Sequence, residues 1–565
     1  MKMIKIWTFL IFVCNLSIAQ SNYPQDYFRS PLDIPLVLSG TFGELRTNHF
    51  HSGLDIKTEQ VEGKKVYSVA KGYVSRIKIT HWGYGKALYI THPNGYTSVY
   101  GHLQKFAPKI EEYVKKRQYQ KETFEIELYP KAEELQITKD EIVAFSGNSG
   151  GSAGPHLHFE IRDKSAKPIN PMFFGIDIKD TKEPTIKDIY AYPIDEGSHV
   201  NRSVKKIKLR LIPLQNGDYT VESVEAFGRI GFGINTTDRQ DLAANNNGVY
   251  NIQTFLNGNK NFELAFNKFS FNETKHLNRL IDYELYSEHK ERIQKLFVER
   301  NNPLSLYKEV HENGYLNIMD STSYVYKIKV KDFKNNEVLI NIPIRGKLQN
   351  DLEPNFVNTT PYFIVHDQPK TFTKKNVSVY FPKNTFYDDV YINFDVSGDT
   401  LKVHKPEIPT LKNFEITFDI SKYKTSDRSQ LFVAKVNGFK KKYLNYVYST
   451  IKEDKLIART KILGDYILAS DTEKPKIKPL NFDDGKWLSN YRYLKIQLSD
   501  DLSGIKNYRA TVNGKWILME FDAKKSILTY DFNDNAITDT KNKLKLIVTD
   551  YVGNSATFEA TFFRK

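Results

Sequence analysis

The stretch that most constrains the fold of this chain is SGNSGGSAGPHLHFEIRD, Ser146 to Asp163. After its glycine-rich approach, polar and apolar residues alternate, which predicts a short β-strand. Because side chains alternate between the two faces of a strand, His156 and His158 point the same way while Leu157 and Phe159 point into the core. Two imidazoles on one face can hold a metal ion, or one can hold it while the other moves protons. An isolated pair of this kind is more often solvated surface, so partners elsewhere in the chain decide.

The first residues, MKMIKIWTFLIFVCNLSIAQ, have the layout of a secretory signal peptide over residues 1–19. Lysines precede an apolar run that is too short to span a bilayer, and the small residue Ala19 suits cleavage. We therefore expect an exported protein, located in the periplasm or cell envelope or secreted. Cys14 is the single cysteine, so a chain without residues 1–19 has no disulfide, and any metal site in it must use His, Asp or Glu.

The length and charge of the chain narrow the function classes further. Its 565 residues are too many for one hydrophobic core and indicate about three to five domains. The formal net charge is +14, and the positive residues are dispersed along the chain. Such a charge favours a general affinity for anionic envelope polymers, and the absence of a recognition motif argues against nucleic-acid binding. No stretch after the signal peptide is apolar enough for a transmembrane helix.

Two pairs of similar segments bracket two strand-rich regions. DTKEPTIK at residues 180–187 matches DTEKPKIK at residues 471–478, and KIKVKDFKNNEVLINI resembles KLIVTDYVGNSATFEA. We predict two related β-sandwich modules, the first β module at residues 180–348 and the C-terminal β module at residues 471–565. Their opening and closing patterns resemble bacterial immunoglobulin-like domains.

Two further regions complete the prediction for the part of the chain after residue 180. The first β module contains an insertion, DYELYSEHKERIQKLFVER, whose spacing and charge pairs predict an amphipathic helix. Residues 350–470, the middle β domain, are β-rich and carry no recognisable chemistry.

Residues 31–178, the N-terminal domain, have a different pattern. They contain strands such as KVYSVAKGYVSRIKI and a hairpin that turns at Pro93-Asn94-Gly95. No alternating strand–helix–strand pattern is present, which favours an antiparallel sheet. The predicted fold class is therefore mainly β, with an antiparallel β-sheet domain followed by β-sandwich domains.

Seven of the thirteen histidines fall between residues 49 and 158. The segments HFHSGLDI, VYGHLQ and PHLHFE supply the candidate site residues His49, His51, Asp55, His102, His156 and His158. A catalytic zinc takes three nitrogen or oxygen ligands and leaves its fourth position to water. Two histidines and one carboxylate meet that need without cysteine. On this chemistry alone His49 can replace His51, and either His156 or His158 can be the ligand.

In this order, the motifs HSGLD, YGHL and GPHLHFE resemble the lysostaphin/LytM-like zinc metallopeptidase family over about residues 36–171. The resemblance implies one Zn²⁺ per chain, with the ligands His51, Asp55 and His158. It implies two catalytic histidines, His102 and His156. The implied fold is a compact antiparallel β-sheet with a groove, and the implied reaction is hydrolysis of peptide bonds, usually in the peptidoglycan cross-links of the cell wall.

The connection between His102 and His156 is longer than in a minimal family member. Its sequence, KIEEYVKKRQYQKETFEIELYPKAEELQI, predicts a helix and a strand that enlarge one wall of the groove. This insertion leaves open which peptide bond is cut, and no substrate-binding residue is assigned.

Three functions compete for this sequence. The first is a zinc metalloendopeptidase with peptidoglycan peptides as substrate and envelope proteins as candidate partners of the β modules. The second is a non-catalytic regulator of a separate wall hydrolase, a class that characteristically loses ligand or catalytic residues. The third is a structural or adhesive envelope protein. All five residues of the implied site are present, which favours the enzyme.

Overall fold

The computed structural model describes residues 23–352, 358–438 and 443–565. The predicted signal peptide, residues 1–19, lies outside these described residues. The described chain is mainly β, as predicted. Among its described helices, none combines the length and the apolar character that a membrane crossing requires.

The N-terminal domain is a β structure with one long helix. Its elements are β1 Leu38–Gly40, β2 Leu45–Arg46, β3 His49–Phe50, β4 Leu54–Lys57, β5 Lys65–Tyr67, β6 Gly72–Ile79, β7 Lys86–Thr91, β8 Thr97–Gly101, β9 Lys105–Phe106, α1 Pro108–Lys121, β10 Ile126–Leu128, β11 Gln136–Ile137, β12 Ile142–Phe145, β13 His156–Arg162, β14 Pro168–Ile169 and a 3₁₀ helix Pro171–Phe174.

The main sheet of this domain has the strand order β1-β4-β13-β8-β7-β6-β10, and its strand pairs are antiparallel. The predicted strand β13 lies at its centre, between β4 and β8. Leu157, Phe159 and Ile161 are fully buried on one face of β13, as the alternation predicts. The opposite face, with His156 and His158, is largely buried as well, so it is not a solvated surface. A smaller sheet has the order β5-β12-β9.

The long connection after His102 contains the predicted helix and strand. Helix α1 begins with Pro108, whose fixed φ suits the first helical position, and ends at Glu122 in the left-handed region. Ile110, Val114 and Gln118 recur every four residues and form its buried face. Strand β10 pairs with β6 at the edge of the main sheet.

The first β module follows. Its elements are β15 Thr185–Pro193, β16 His199–Val200, β17 Ile207–Leu209, β18 Leu211–Pro213, β19 Tyr219–Val221, β20 Val224–Thr237, β21 Asn251–Leu256, β22 Asn259–Ala265, α2 Leu277–Leu280, α3 Tyr283–His289, β23 Gln294–Lys295, β24 Tyr307–Val310, β25 Leu316–Ile318, β26 Ser323–Lys331 and β27 Glu337–Gly346. The strand order β17-β15-β20-β27-β26-β21-β22-β24 is continuous, because the long strand β20 connects the two layers.

The predicted helix in the insertion of this module is shorter than its sequence pattern suggests. Asp282 caps α3 by accepting a hydrogen bond from the Leu285 amide at 3.1 Å, and the helix ends where Lys290 adopts φ 63°. The segment that would continue it pairs with β20 instead, as β23. A strand pairing has therefore overridden the local helical pattern.

The N-terminal domain and the first β module share one hydrophobic core. Phe42 packs on Phe269 with ring centroids 5.0 Å apart, and Phe50 lies 6.0 Å from Phe266 and 5.5 Å from Phe269. All four rings are nearly inaccessible to solvent. The two regions therefore have separate β-sheets but pack around a common hydrophobic core.

The middle β domain has a core of its own. Its elements are β28 Phe363–Ile364, β29 Lys370–Lys374, β30 Val377–Phe381, β31 Val390–Tyr391, β32 Phe394–Ser397, β33 Thr400–Val403, β34 Phe414–Asp419, α4 Thr425–Arg428, β35 Leu431–Asn437, β36 Tyr443–Val447, β37 Ser449–Lys452, β38 Lys455–Thr460 and β39 Gly464–Ser470. Its two larger sheets have the orders β29-β30-β34-β38-β37 and β32-β33-β39-β35-β36.

The C-terminal β module also has a separate core, to which two sheets contribute. Its elements are β40 Lys476–Pro479, β41 Lys486–Trp487, β42 Tyr493–Ser499, β43 Ile505–Val512, β44 Lys515–Trp516, β45 Glu520–Asp522, β46 Ile527–Asp531, β47 Lys541–Asp550 and β48 Ser555–Phe563. The sheet orders are β40-β42-β46-β45 and β41-β48-β47-β43-β44.

The first and C-terminal β modules repeat the same hydrogen-bonded loop. In the first, the carboxylate of Asp332 accepts from the backbone N–H of Asn336 at 2.9 Å and from its side-chain amide at 2.6 Å. In the second, Asp550 accepts from the same two groups of Asn554 at 2.8 and 2.7 Å. The sequence repeat that predicted two related modules therefore corresponds to a shared structural feature.

In both modules the residue after this aspartate packs on the preceding domain. Phe333 lies with its ring centroid 5.1 Å from that of Phe173 in the N-terminal domain. Tyr551 stacks on Tyr446 of the middle β domain at 4.7 Å. Each repeated loop thus sits at a joint between consecutive domains.

The C-terminal β module also returns to the N-terminal domain. The Nζ of Lys86, a nearly buried lysine, lies 2.8 Å from a carboxylate oxygen of Glu520. Tyr119 of helix α1 packs edge-on against Trp516 at 5.2 Å, and Lys115 pairs with Asp534 at 2.7 Å. The insertion that the sequence marks as unusual therefore provides part of the contact surface for the C-terminal β module.

Candidate active site

Strand register places the first two candidate residues side by side. Asp55 on β4 is the direct cross-strand partner of His158 on β13, and Gly101 on β8 is the partner of His158 on the other side. A Cβ on Gly101 would lie 3.3 Å from the Cβ of His158, so a larger residue there would crowd the imidazole. His102 follows at the end of β8, with φ 57°.

Three donor atoms converge at this point. Nε2 of His51 lies 3.0 Å from Oδ1 of Asp55 and 3.1 Å from Nδ1 of His158, and the last two atoms are 2.9 Å apart. All three side chains are buried. His49 is exposed and donates from Nδ1 to the Thr47 carbonyl at 2.8 Å. The cluster with Asp55 and His158 therefore contains His51 and not His49.

The outer atoms of these residues are fixed by neighbours. Nδ1 of His51 donates to the Thr41 carbonyl at 2.7 Å, and Nε2 of His158 donates to Glu160 at 2.8 Å. Those contacts leave Nε2 of His51 and Nδ1 of His158 facing Asp55, and a metal ion bound there would displace any proton from these two nitrogens. Two imidazole nitrogens and one carboxylate oxygen are a donor set that zinc accepts in an open three-ligand site. The residues present therefore fit a zinc ion.

Glu160 is the residue that the sequence prediction missed. It is fully buried and accepts hydrogen bonds from four side chains: those of His158, Ser52, Tyr84 and Arg162. Burial opposes its ionisation, but the charge of Arg162 and the hydrogen bond from His158 hold the pKa of Glu160 well below its usual range. The signal was present in the sequence, because the alternation that pairs His156 with His158 continues to Glu160.

The electrostatics of the three-donor cluster favour positive charge. Burial disfavours the charged form of Asp55, but the imidazoles of His51, His156 and His158 around it hold the pKa of Asp55 well below its usual range. Burial also opposes protonation of His158, yet the hydrogen bonds to Asp55 and Glu160 raise its pKa to about 9. Two buried carboxylates thus make this pocket suited to a cation.

His102 and His156 lie next to the three-donor cluster. Their ring centroids are 4.8 Å apart, and Nε2 of His156 is buried, makes no hydrogen bond and lies 3.4 Å from Oδ1 of Asp55. Nδ1 of His102 donates to the Ser149 carbonyl at 2.9 Å, and Nδ1 of His156 donates to the Gly154 carbonyl at 2.8 Å. Burial, with smaller contributions from the neighbouring imidazoles of His158 and His156, lowers the pKa of His102 to about 3. His102 is therefore neutral, with Nε2 as an acceptor.

Two glycines allow the loop before β13 to support His102. A Cβ on Gly85 would lie 2.4 Å from Oγ of Ser149, and a Cβ on Gly150 would lie 2.3 Å from the backbone nitrogen of Gly85. Both glycines have positive φ, 61° and 71°, which disfavours any larger residue. The two loops therefore pass backbone against backbone, and this contact holds the Ser149 carbonyl at His102.

The other two histidines of the N-terminal domain lie outside the site. His92 is buried, donates from Nδ1 to the Lys71 carbonyl at 2.9 Å and bonds Oγ of Ser98 at 2.8 Å. His81 stacks on Phe124 with centroids 5.2 Å apart. Both have packing roles.

The two β modules reach the site from different sides. The hydroxyl of Tyr286 in the first β module bonds that of Thr47 at 3.0 Å, close to His51 in the chain. Lys524 of the C-terminal β module donates from Nζ to the carbonyl of Ser152 at 2.8 Å. Ser152 in turn lies with its Oγ 3.2 Å from Nδ1 of His156. Residues far along the chain therefore support the segments that lead to His51 and to His156.

Comparison with known proteins finds two matching family models and several relatives. The model of peptidase family M23 matches residues 49–119, and the model of the Zu5-like domain matches residues 361–471. The chain is similar to the DD-carboxypeptidase/endopeptidase Mpg of Neisseria meningitidis serogroup B, with 31% identity over 146 residues, 24% of this chain and 27% of that protein. It is also similar to an uncharacterized metalloprotease of Haemophilus influenzae, with 30% identity over 122 residues, 22% of this chain and 20% of that one. The chain thus spans only about a quarter of the length of the curated relatives it matches.

Two solved structures also resemble about a quarter of this chain. The catalytic domain of the prophage-encoded M23 protein EnpA from Enterococcus faecalis has 22% identity, covers 27% of this chain and 97% of that one, and gives a TM-score of 0.20. The catalytic domain of lysostaphin from Staphylococcus simulans has 19% identity, covers 24% and 90%, and gives a TM-score of 0.18.

The N-terminal domain is an antiparallel β domain whose central strands carry a cluster of three donors that could hold a metal ion. The family model and the curated relatives identify it: the N-terminal domain of this chain is a peptidase family M23 domain, of the lysostaphin/LytM-like type. The resemblance drawn from the three histidine motifs is therefore confirmed. The further β domains after it, including a Zu5-like region, agree with the predicted fold class.

Proposed function

We propose that this protein is an exported zinc-dependent metalloendopeptidase that hydrolyses peptidoglycan cross-links during cell-wall remodelling. The observation that carries the proposal is the convergence of His51, Asp55 and His158 within 3.1 Å of one another, with two further histidines beside them. A regulator without activity would not need to retain both sets. Export is supported by the signal-peptide pattern of residues 1–19.

Zinc would be held by Nε2 of His51, Nδ1 of His158 and the carboxylate of Asp55. When bound, zinc lowers the pKa of water to about 7 and polarises a carbonyl oxygen. The chain positions these ligands through groups outside the cluster: the Thr41 carbonyl and Glu160 hold the imidazoles, and Arg46 donates to Oδ2 of Asp55 at 3.1 Å. Such supporting contacts fix ligand orientation.

His156 is assigned as the general base. Its Nδ1 carries hydrogen, because a carbonyl oxygen can only accept, so Nε2 is the ring nitrogen left to accept a proton. This Nε2 makes no hydrogen bond and lies 3.4 Å from Asp55, beside the metal position. It is placed to accept a proton from the attacking water and then to deliver it to the leaving amine.

His102 is assigned to orient the same water. Its Nδ1 donates to Ser149, and its lowered pKa keeps the ring neutral, so Nε2 accepts a hydrogen bond and cannot donate one. A neutral His102 beside His156 therefore fixes the direction of the water's second hydrogen. With both hydrogens of the water directed to the two imidazoles, its oxygen keeps a lone pair free for attack on the peptide carbonyl.

The substrate class is supported by a relative. Mpg of Neisseria meningitidis is named a DD-carboxypeptidase/endopeptidase, which supports a D,D-peptide bond of peptidoglycan as the bond cleaved here.

Digestion of purified sacculi by the zinc-loaded protein tests the proposal, with the released peptides identified by mass. We expect cross-linked peptides to be converted to uncrosslinked ones, and a His156→Ala variant with its zinc in place to release almost none. Intact cross-links after incubation with folded, zinc-loaded protein would overturn the enzymatic proposal. Equal release by His156→Ala would overturn the assignment of the base.

A further inference from the structure

A second group of buried acidic side chains shares no residue with the histidine site and lies at the joint between the N-terminal domain and the first β module. Asp180 precedes β15, Asp238 follows β20, and Asp332 follows β26. One carboxylate oxygen of each lies within 4.8 Å of the others. All three residues are buried. Three separate segments of chain therefore bring three carboxylates to one place.

The carboxylate of Asp238 provides an independent observation. The residue is 3% exposed, and its Oδ1 is buried without a hydrogen-bond partner. Buried polar atoms of proteins are nearly always paired, and an unpaired carboxylate oxygen is among the most unfavourable cases. The unpaired Oδ1 belongs to one of the three clustered residues, so the cluster contains a buried acceptor that no protein group in the described chain satisfies.

The charges around the cluster do not neutralise it. Lys334, two residues after Asp332, pairs with Asp177 at 2.5 Å instead. Arg239, next to Asp238, donates from Nε to Asn246 at 3.2 Å. Burial raises the pKa of Asp238 to about 8, and the neighbouring Asp180 and Asp332 add to the rise. The fold therefore gathers three acidic side chains here, and within the described ranges 23–352, 358–438 and 443–565 no lysine or arginine forms an ion pair with them.

We propose that Asp180, Asp238 and Asp332 form a Ca²⁺ site. Hard oxygen donors exclude a soft metal, and Ca²⁺ accepts six to eight oxygen ligands in irregular geometry, including carboxylates and backbone carbonyls. Mg²⁺ requires near-octahedral geometry and retains several waters, which a buried cluster of three carboxylates on different segments suits less well.

The place of this site gives it a structural consequence. Asp332 is followed by Phe333, which packs on Phe173 of the N-terminal domain, and the amide of Asn336 bridges to the backbone carbonyl of Asp180 at 3.3 Å. A cation bound here ties the linker that leaves the N-terminal domain to the loop that packs against it. Ca²⁺ would therefore fix the joint between the two regions.

A related triad occurs in the C-terminal β module. Asp471, Asp500 and Asp550 also have oxygens within 4.8 Å of one another. Their carboxylates accept backbone hydrogen bonds, for example from Ser503 to Asp471 at 3.0 Å and from Gly504 to Asp500 at 2.6 Å. The starting protein for the test is therefore an Asp500→Asn chain, in which the second triad has lost one of its three carboxylates.

Calcium titration by isothermal calorimetry tests the site, on the full zinc-loaded chain in calcium-free buffer. The Asp500→Asn chain should bind one Ca²⁺, and adding Asp238→Asn should abolish that binding. Asn has the shape of Asp and removes one repelling charge, so the double variant should fold; Asp180→Asn provides a second version of the same loss. Adding Asp241→Asn, a nearby carboxylate that bonds Thr181 outside the cluster, should leave binding unchanged.

Three results would overturn the proposal. The first is that the Asp500→Asn chain fails to bind calcium at millimolar Ca²⁺. The second is that binding is undiminished after Asp238→Asn and after Asp180→Asn. The third is that binding is lost after Asp241→Asn. Equal affinity for Mg²⁺ would overturn the choice of cation.

Discussion

Nε2 of His158 donates to Oε1 of Glu160 at 2.8 Å, two residues further along the same strand. The two side chains share a face of β13, and Arg162, the next residue on that face, donates to the other oxygen of Glu160 at 2.6 Å. One strand therefore carries a candidate zinc ligand, the carboxylate that orients it and the guanidinium that holds the carboxylate.

Replacing Glu160 should weaken metal binding without touching a ligand. For Glu160→Gln we expect zinc affinity to fall by about 10–100-fold, the usual effect of removing a group that orients a metal ligand. A zinc competition assay with a chelating dye measures it. Glu127→Gln is the matched control, because Glu127 pairs with Arg76 on the surface. Wild-type affinity in Glu160→Gln would show that the hydrogen bond does not position His158.

The three histidines around β13 should fail in different ways. His158→Ala should lose zinc and turnover together, since it removes one of three ligands. His156→Ala and His102→Ala should keep about one zinc per chain while turnover falls by about 10²–10⁴-fold each. Loss of both should reduce turnover by less than the product of the single effects, because they act on one water.

Zinc content and turnover are measured on the same preparations of these variants. His49→Ala serves as the control, because the exposed His49 lies outside the cluster, and it should retain both properties. A His156→Ala protein without zinc, beside a His158→Ala protein that keeps it, would reverse the two assignments.

Removal of metal should be reversible in its effect. Dialysis against a chelator should abolish turnover, and stoichiometric Zn²⁺ should restore it. Because a ligand that binds only the folded state stabilises it, the metal-free protein should also unfold at a lower temperature. Calorimetry and a peptide assay check the two effects, and full turnover without metal would contradict the zinc assignment.

The ion pair between Lys86 and Glu520 should stabilise the contact of the C-terminal β module. Glu520→Gln leaves a nearly buried ammonium without its partner. The loss should be smaller than the ~3–5 kcal/mol of a fully buried pair, since Glu520 is 44% exposed. The double variant Lys86→Met/Glu520→Gln should recover part of the loss, and equilibrium unfolding in urea measures both. Equal free energies of unfolding for Glu520→Gln and the wild type would show that the ion pair does not stabilise the contact.

Whether a shortened chain folds should depend on whether the truncation divides a hydrophobic core. A chain that ends near residue 470 keeps the cores of the first three regions and should remain folded. A chain that ends near residue 178 exposes Phe42 and Phe50, which pack on Phe266 and Phe269, and should aggregate. Size-exclusion chromatography distinguishes them. A monomeric, folded chain of residues 20–178 would show that the shared core is dispensable.

Local patterns and a family resemblance account for what the sequence could predict. The alternation in HLHFEIR predicts which residues face the core, and the resemblance of the three motifs to the lysostaphin/LytM-like family implies His51, Asp55 and His158 as ligands. Glu160 was within reach of the same alternation.

Other features depend on contacts between distant segments. The helix after Asp282 ends early because Gln294 pairs with a strand remote in sequence. The contact of Lys524 with Ser152 spans 372 residues and has no local pattern that could predict it.

The return of the C-terminal β module to the N-terminal domain sets an order of events during synthesis. Domains emerge from the ribosome N-terminal first and fold as units. The loop that carries Ser152, next to His156, is made early, whereas Lys524, which holds that loop, is made near the end of the chain. A prematurely released chain would therefore contain every residue of the candidate site and lack the module that braces it. Completion of the last module is what finishes the site.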